Sequence, residues 1–350
     1  RESYLPPALV YGHPGYLRPL AGFTPADGVY LHIVAFDLAR GPDGNWWLVG
    51  TRTQAPSGLG YALQNRMIVS RLFPEAFREL KVQRLGASFR RLLDLLYRTS
   101  PAEPGTTPRV VLLTPGPYSE TYFEHVYLAR YLGIPLVEGG DLTLREDRVY
   151  LKTLHGLERV HGILRRLDDD FCDPLELRSD SALGVPGLLQ AIRSGQVMVA
   201  NGLGSGFLES PAIAGFLPAI SQRLFGEKLL LPSLASWWCG EAAALELGLP
   251  QLEKMVVKPT CAAQARAQRW DAEVAVRLDG ERREALAARI RARPDDHTLQ
   301  EYLPMSEVAI WRDGALQPRT AMLRVYAIAD GEGNWHALPG GLTRIAGDEQ

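Results

Sequence analysis

Several signals that would assign a function directly are scarce or absent in the sequence. Only three cysteines occur among 350 residues, and none forms a CxxC pair. Neither a disulfide framework nor a thiolate zinc site is therefore expected, and buried thiols are the simplest interpretation. No apolar run approaches the ~18 residues that a membrane helix needs, and no charged start followed by a short apolar stretch marks a signal peptide. We expect a cytoplasmic protein with no membrane partner.

An excess of charge of one sign is also missing. Lys and Arg number 38 against 40 Asp and Glu, a formal net charge of −2. No segment concentrates basic residues among aromatics, so nucleic acid is not an expected partner.

Common catalytic motifs are absent as well. There is no HExxH and no GxSxG, which excludes zinc proteases and serine hydrolases on spacing. GxGxxG and GxxxxGK[ST] are missing too, which disfavours a NAD(P)-dependent enzyme and a P-loop protein. The Gly202–Gly206 loop has the glycine density of a phosphate cradle, but turn geometry explains it equally simply.

The composition is that of a globular chain. Hydrophobic residues make up 46% and charged residues 22%, so a sizeable core can form, and the length favours two or three packed units. The sequence begins with Arg instead of Met and stops soon after a strand-like stretch. We therefore expect both ends to be clipped.

The first predicted unit comprises residues 1–100. Apolar alternation over Val29–Ile33, turn residues at Gly41–Gly44 and an apolar run at Trp46–Val49 predict a β-hairpin, with Asp37 near the end of its first strand. Helical periodicity then extends over Tyr61–Leu96, with Pro74 as a break.

The second predicted unit comprises residues 101–245 and follows a linker-like stretch. An apolar strand at Arg109–Leu113, a helix at Thr121–Leu132 and a strand at Ile134–Val137 form a βαβ pattern, which predicts a parallel sheet. Further strands are predicted at Arg159–Leu164 and Gln196–Asn201, and polar residues gather where open α/β sheets bind ligands.

The third predicted unit, residues 246–350, is of the α+β type. Its predicted strands and helix are Lys254–Lys258, Glu281–Arg293, Thr298–Leu303 and Leu323–Ile328.

Three features of the residues themselves could carry chemistry. Lys258 ends a buried-looking strand, where it is either a strand-end lysine reaching water or a group that holds an anion. Asp37 is either a turn cap or a Mg²⁺ ligand. The acidic cluster of Asp168, Asp169, Asp170 and Asp173, beside Arg165 and Arg166, is either a structural ion-pair network or a substrate site.

Many stretches, in order along nearly the whole chain, resemble the circularly permuted ATP-grasp proteins, which are related in fold to glutathionylspermidine synthase. The matching stretches are Leu5–Val10, Arg52–Gly58, Tyr61–Arg66, Leu113–Pro117, Thr121–His125, Arg165–Asp169, Asp180–Leu188, Trp237–Gly240 and Pro339–Arg344. The resemblance implies an α/β (α+β) fold, a permuted ATP-grasp with an inserted parallel α/β pre-ATP-grasp domain. Residues 1–100 would form the metal and substrate subdomain, 101–245 the inserted domain, and 246–350 the lysine and hinge subdomain.

The resemblance also implies a nucleotide site with ATP and Mg²⁺ as cofactors. Lys258 would contact the ATP phosphates, Gln300 and Glu301 would lie at the adenine hinge, and Asp37 would hold Mg²⁺. The implied chemistry is activation of a carboxylate as an acyl phosphate, followed by attack of an amine, with positioning and charge neutralisation as the sources of catalysis.

Catalytic and substrate residues follow from the same resemblance. Arg324 would face the phosphates, and Arg52 and Arg66 would serve the substrate or the transferred phosphoryl group. The implied substrate contacts are Ser57, Gly58, Asn65, Arg165, Asp168, Asp169 and Asn201.

Two functional hypotheses result. The first is an ATP-dependent carboxylate–amine ligase that joins a small-molecule acid to an amine or peptide. The second is a catalytically degenerate ATP-grasp scaffold that binds a nucleotide, a small molecule or a protein partner without turnover. It is motivated by Thr51, where relatives tend to have Asp, and by the lack of a glycine-rich loop after Lys258.

Overall fold

The computed structural model describes residues 4–261, 265 and 270–347. Its strands are β1 Ile33–Arg40, β2 Trp46–Arg52, β3 Val110–Leu113, β4 Leu136–Val137, β5 Leu142–Arg145, β6 Arg148–Thr153, β7 Gly156–Val160, β8 Gly162–Arg165, β9 Met198–Ala200, β10 Ser236–Trp238, β11 Met255–Pro259, β12 Glu273–Val274, β13 His297–Glu301, β14 Glu307–Arg312, β15 Ala315–Ala329 and β16 Trp335–Ile345. Its α-helices are α1 Pro7–Gly12, α2 Leu59–Leu72, α3 Pro74–Glu79, α4 Gly86–Thr99, α5 Tyr122–Leu132, α6 Leu188–Arg193, α7 Pro211–Ala214, α8 Leu217–Phe225, α9 Ala242–Gly248 and α10 Gly280–Ala292.

The first sheet joins the two ends of the chain. Its strands run in the order β14-β15-β1-β2, with β16 on β15, and all pairs are antiparallel. One face carries Ile33, Ala35 and Tyr326, which pack in a core with residues of α2 and α4. Asp37 lies farther along the same face, because side chains alternate along a strand. The functional side chains therefore begin where this core ends.

The middle of the chain forms a parallel sheet in the order β4-β3-β8-β9, as the βαβ pattern predicts. Its strands are short and fully apolar at Val110–Leu113, which is typical of a sheet buried on both faces. Helix α5 connects β3 to β4 and ends at Gly133, whose φ of 70° is the left-handed conformation that glycine adopts easily. The separate antiparallel sheet β5-β6-β7 extends this unit.

The second antiparallel sheet has the order β10-β13-β11-β12 and packs on α10. Val257, Leu299 and Ile290 are completely buried between them. Asp279 caps α10 by accepting a hydrogen bond from the backbone N–H of Arg282 at 2.8 Å. The segment that precedes β10 contacts the first sheet at β2, since the backbone N–H of Leu48 donates to the carbonyl of Pro232 at 2.8 Å.

Several predicted elements differ from the structure. The predicted strand Arg159–Leu164 is two strands, since β7 ends at Val160 and β8, in another sheet, begins at Gly162. The predicted strand Leu323–Ile328 is one part of the 15-residue β15. Because β14, β15 and β16 belong to the first sheet, the sheets do not follow the predicted boundary of one unit over 246–350.

Candidate active site

A cavity of about 510 Å³ lies where the first sheet, the middle unit and the second sheet meet. The β2–α2 loop, the segment after β8 and Cys261, which follows β11, all contribute to its walls. The lining side chains that matter here are Arg52, Ser57, Asp169, Glu209, Arg324 and Arg344. The volume is in the range of small-molecule sites.

Asp37 and two arginines form the best-defined ion pair beside this cavity. Arg324 donates from Nε to Asp37 Oδ1 at 2.6 Å and from Nη2 to Oδ2 at 2.9 Å. Arg52 Nε donates to the same Oδ2 at 3.2 Å. Burial alone would raise the pKa of the Asp37 carboxyl, but the hydrogen bonds and charges of Arg324 and Arg52 outweigh it and hold the pKa below its usual range. Asp37 is therefore ionised and occupied by guanidinium groups.

Strand register explains how these side chains come together. Asp37 pairs with Arg324 across β1 and β15, and Arg52 pairs with Ala35, two residues from Asp37. Arg344 pairs with Met322, two residues from Arg324. Alternation places all three arginines and Asp37 on one face, in a row across four neighbouring strands. We call this set the arginine row.

Lys258 lies close to this row from the opposite sheet. Its Nζ donates to the carbonyl of Val49 at 3.1 Å, and no described carboxylate lies within 4 Å of it. Burial, followed by the charge of Arg52, lowers the pKa of Lys258 to about 8, although Asp37 opposes the shift. A partly desolvated ammonium with one neutral acceptor is a site that favours an anion.

Gln300 and Glu301 lie on β13, next to the strand that carries Lys258. Lys258 pairs with Thr298, two residues from Gln300, so Gln300 and Lys258 share a face of the sheet. The amide of Gln300 is buried and donates to Ser236 Oγ at 3.1 Å. Glu301 is exposed at the end of the strand. Neither side chain lines the cavity. Their part in adenine binding stays a prediction.

The β2–α2 loop is fixed from both sides. Ser57 accepts hydrogen bonds from Arg324 Nη1 at its Oγ and its carbonyl, both at 3.2 Å. The buried Glu124 carboxylate accepts the backbone N–H groups of Gly58 and Gly60 at 2.8 to 3.0 Å. Ser57 and Gly58 line the cavity, but the N–H groups of Gly58 and Gly60 already donate to Glu124 and are not open to a ligand anion.

The acidic cluster is both structural and exposed to the cavity. Arg165 is completely buried, and it donates to the carbonyl of Asn201 and lies 2.6 Å from Asp169 Oδ1. Asp169 also accepts the backbone N–H of Gly206 at 3.1 Å. Burial raises the pKa of Asp169 against the charge of Arg165. Asp168 and Asp169 line the cavity, whereas Arg165 does not.

Three other predicted site residues lie outside the cavity. Arg66 donates to the carbonyls of Gln83 and Pro339, which ties α2 to β16. Asn65 is exposed on α2. The Asn201 side chain is buried and bonded to backbone groups of the first sheet and the loop after β2. In the structure Arg66 and Asn201 are bonded to backbone groups and do not line the cavity. Their catalytic and substrate roles stay predictions.

Sequence reasoning missed Glu209, Glu124 and Arg344. Glu209 Oε1 accepts the backbone N–H groups of Thr53 and Gln54 at 2.8 and 2.7 Å, and its Oε2 lies 3.8 Å from Arg52. No motif surrounds Glu209, so only the fold reveals it. Arg344 had a signal, since it ends a stretch that resembles the family and alternates with Leu342.

The residues at the site do not fit a resident Mg²⁺ ion. Both oxygens of Asp37 are occupied by arginines, and the described residues contain no group of three or more His, Cys, Asp or Glu side chains that could hold a metal. Thr51 pairs with Phe36, so alternation turns its side chain away from Asp37, and its hydroxyl donates to the carbonyl of Leu208 at 2.8 Å. The side chain of an acid at position 51 would therefore point away from Asp37. Part of the stretch that replaces a glycine-rich loop, residues 262–264, lies outside the described residues.

Two antiparallel sheets bring a lysine close to a row of arginines and a carboxylate, and a parallel α/β unit is inserted in the chain. This arrangement is that of an ATP-grasp protein in permuted order. The chain belongs to the circularly permuted ATP-grasp type 2 family, whose sequence model matches residues 1–346. This confirms the predicted family and fold.

The curated relatives have sequences that are clearly similar along this chain. An uncharacterized protein of Mycobacterium tuberculosis is 37% identical over 341 residues, which is 97% of this chain and 38% of the relative. A second uncharacterized protein of that organism is 34% identical over 351 residues, 99% of this chain and 62% of the relative. An uncharacterized protein of Synechocystis is 33% identical, over 99% of this chain and 71% of the relative. The chain thus spans between about two fifths and seven tenths of these proteins.

A solved structure supports the fold. The apo structure of a glutathione synthetase-like effector from Globodera pallida superposes with a TM-score of 0.60, at 14% identity, over 97% of this chain and 79% of that chain. Across the described part of this chain, none of the helices combines the length and apolarity needed to cross a bilayer.

Proposed function

We propose that the protein is an ATP-dependent carboxylate–amine ligase that forms a peptide-like bond through an acyl phosphate. In this reaction a carboxylate oxygen attacks the γ-phosphorus of ATP and ADP leaves. The amine then attacks the acyl carbon, phosphate leaves, and the nitrogen loses a proton. Arg52 and Arg324 would neutralise charge on the transferred phosphoryl group, in the manner expected of phosphoryl transfer.

The observation that carries the proposal is the surplus of positive charge around Lys258. Lys258, Arg52 and Arg324 lie close together, and their nearest carboxylates are Asp37 and Glu209. A buried ammonium without a carboxylate partner is costly unless an anion arrives. A polyphosphate supplies that charge, and the cavity next to it accommodates the acid.

The test combines binding and turnover. Calorimetric titration with ATP should show binding to the wild-type chain, and Lys258→Met should weaken it about 10- to 150-fold, because a charge-assisted contact worth about 1.5 to 3 kcal/mol is lost. Incubation with ATP, Mg²⁺ and pooled acids and amines should release ADP and phosphate. Lys254→Met, at an exposed lysine just before β11, is the matched control and should bind ATP like the wild type. An ATP dissociation constant unaffected by Lys258→Met would refute the nucleotide site.

One observation favours the second candidate, a scaffold that binds without turnover. Magnesium in nucleotide sites is usually held by one or two carboxylates together with phosphates. Here Asp37 is engaged by two arginines, and the position that pairs with it on β2 is Gly50.

The structure indicates how to distinguish the two candidates. A Cβ at Gly50 would meet no heavy atom within 4 Å, and its side chain would share the face of Asp37. If the natural chain lacks turnover for want of a metal ligand, Gly50→Asp should create Mg²⁺-dependent ADP release, whereas Thr51→Asp, which faces away, should not. Turnover in the wild-type chain would instead reject the scaffold.

A further inference from the structure

We infer that the acid substrate is a dicarboxylate and that Arg344 binds its second carboxylate, the one that is not activated. That the dicarboxylate is a substrate assumes the proposed ligase function. That it binds at Arg344 is argued from the geometry of the arginine row alone.

Arg344 occupies the outer end of that row. It lies on β16 two residues beyond Leu342, and Leu342 is the partner of Arg324 in the neighbouring strand. Two residues along a strand and one strand across place the two Cα atoms roughly 8 Å apart on the same face. Both side chains line the cavity. One ligand can therefore reach both guanidinium groups.

The charges along the row are not balanced at that end. Arg324 and Arg52 share Asp37, and Arg52 also lies near Glu209. Arg344 is exposed to the cavity and has neither a hydrogen bond nor an ion pair among the residues that the structure describes. A guanidinium presents a planar fork of donors that matches a carboxylate in two-point contact. Because the positive charge of Arg344 in the cavity wall has no counter-charge among the described residues, we expect the ligand to place an anionic group beside it.

The separation of the two arginines sets the ligand's length. The reacting carboxylate has to lie near Arg324 and Arg52, close to Lys258, where the phosphate is proposed to bind. A carboxylate held by Arg344 then lies several ångströms away, a distance that an aliphatic chain of about four to six carbons spans. A monocarboxylic acid of the same size would leave Arg344 without a counter-charge.

The experiment compares dicarboxylates with their monoamides. Succinate, glutarate and adipate, and the monoamide of each, are titrated into the whole chain by calorimetry, with and without a non-hydrolysable ATP analogue. At least one diacid should bind about 10-fold more tightly than its monoamide, because one charge-assisted contact is lost in the amide. Arg344→Gln should abolish this preference, and Arg344→Lys should retain part of it. Arg90→Gln, at an exposed arginine on α4, is the matched control and should leave it intact.

The outcomes separate this inference from the proposed function. Equal binding of diacid and monoamide by the wild type, a preference that survives Arg344→Gln, or no binding of any diacid would overturn it. ATP affinity should be the same in Arg344→Gln as in the wild type. Failure to bind ATP alongside an Arg344-dependent preference for diacids would reject the ligase proposal and keep the dicarboxylate site.

Discussion

At the scale of single residues, Lys258 is a charge that the fold tolerates at a cost. Because burial lowers its pKa from 10.5 to about 8, the folded state binds this proton more weakly than the unfolded state. The resulting loss of folding free energy is greatest below pH 8 and declines as the pH rises toward 10.5. At about 1.4 kcal/mol per pKa unit, it is at most about 3 kcal/mol.

Lys258→Met should therefore stabilise the nucleotide-free protein at pH 7. We expect its advantage over the wild type to narrow by about 1 kcal/mol between pH 7 and pH 9, as the lysine of the wild type loses its proton. Urea unfolding of both proteins at the two pH values measures this. A variant less stable than the wild type at pH 7 would mean that Lys258 has a stabilising partner.

Asp37 is the opposite case, since its folded pKa is held below its usual range. Its contribution to stability is present above the unfolded pKa of about 3.8 and is lost as pH falls through the folded value. Asp37→Asn should cost about 3 kcal/mol near neutral pH, because the buried Arg324 loses its counter-charge. Denaturant unfolding should show a constant difference between pH 5 and 8 that shrinks below pH 4. A constant difference down to pH 3 would be inconsistent with the ion pair.

At the scale of elements, the β2–α2 loop depends on a glycine. Gly58 has φ of 100°, and a Cβ there would lie 2.3 Å from the Tyr326 hydroxyl and 2.8 Å from Leu342. Gly58→Ala should lower the free energy of unfolding by about 2 to 4 kcal/mol, the sum of left-handed strain and overpacking. Gly105 has φ of 84° with no heavy atom within 4 Å of a Cβ, so Gly105→Ala isolates the strain and should cost about 1 to 2 kcal/mol.

Thermal or urea unfolding of the two glycine variants provides the comparison. Equal costs would show that Tyr326 and Leu342 yield to the added methyl group and that close packing at the loop is unimportant.

Elements with a strong local pattern could be predicted from the sequence, whereas their register could not. Turn residues after Arg40 and the apolar run at Trp46–Val49 predict the β1–β2 hairpin, whereas the apolar alternation over Val29–Ile33 lies almost wholly before β1, which begins at Ile33. Asp37 nevertheless lies mid-strand, and the bulge after it determines that Gly50, and not Thr51, shares its face. A shift of one residue reverses a strand's faces, and the sequence carries no local signal for a bulge of this kind. The sequence alone therefore could not show whether residue 50 or residue 51 lies beside Asp37.

At the scale of the whole molecule, the meeting of distant segments decides which polar residues belong to the cavity. Resemblance to a permuted family predicts that Asp37, Lys258 and Arg324 share one nucleotide site, although 287 residues separate Asp37 from Arg324 in the chain. In the structure Arg324 lines the cavity, Asp37 is bonded to Arg324, and Lys258 lies near Arg52 and Asp37. Their shared role in nucleotide binding stays a prediction. The resemblance could not distinguish Asp169, which lines the cavity, from Asn201, which does not. Both residues follow strand ends of the parallel sheet. Their positions differ because of what each side chain contacts in the rest of the fold.

Asn201 links the middle unit to the first sheet through hydrogen bonds of its side chain. Its Oδ1 accepts the backbone N–H groups of His32 and Ile33 at 2.8 and 3.1 Å, and its Nδ2 donates to the carbonyls of Ile33 and Thr53, both at 2.6 Å. Asn201 is 2% exposed, so removal of its side chain leaves several buried backbone groups without partners.

Asn201→Ala should therefore cost about 3 to 5 kcal/mol and weaken the coupling between the two units. We expect urea unfolding followed by circular dichroism and by tryptophan fluorescence to give coincident transitions in the wild type and separated transitions in the variant, since the tryptophans lie outside the middle sheet. Asn65→Ala, at an exposed asparagine on α2, is the control and should change stability by less than about 0.5 kcal/mol. If Asn201→Ala costs no more than this control and unfolds in one transition, the units are held together by their apolar contacts, and the amide of Asn201 becomes available for the substrate role that the resemblance implies.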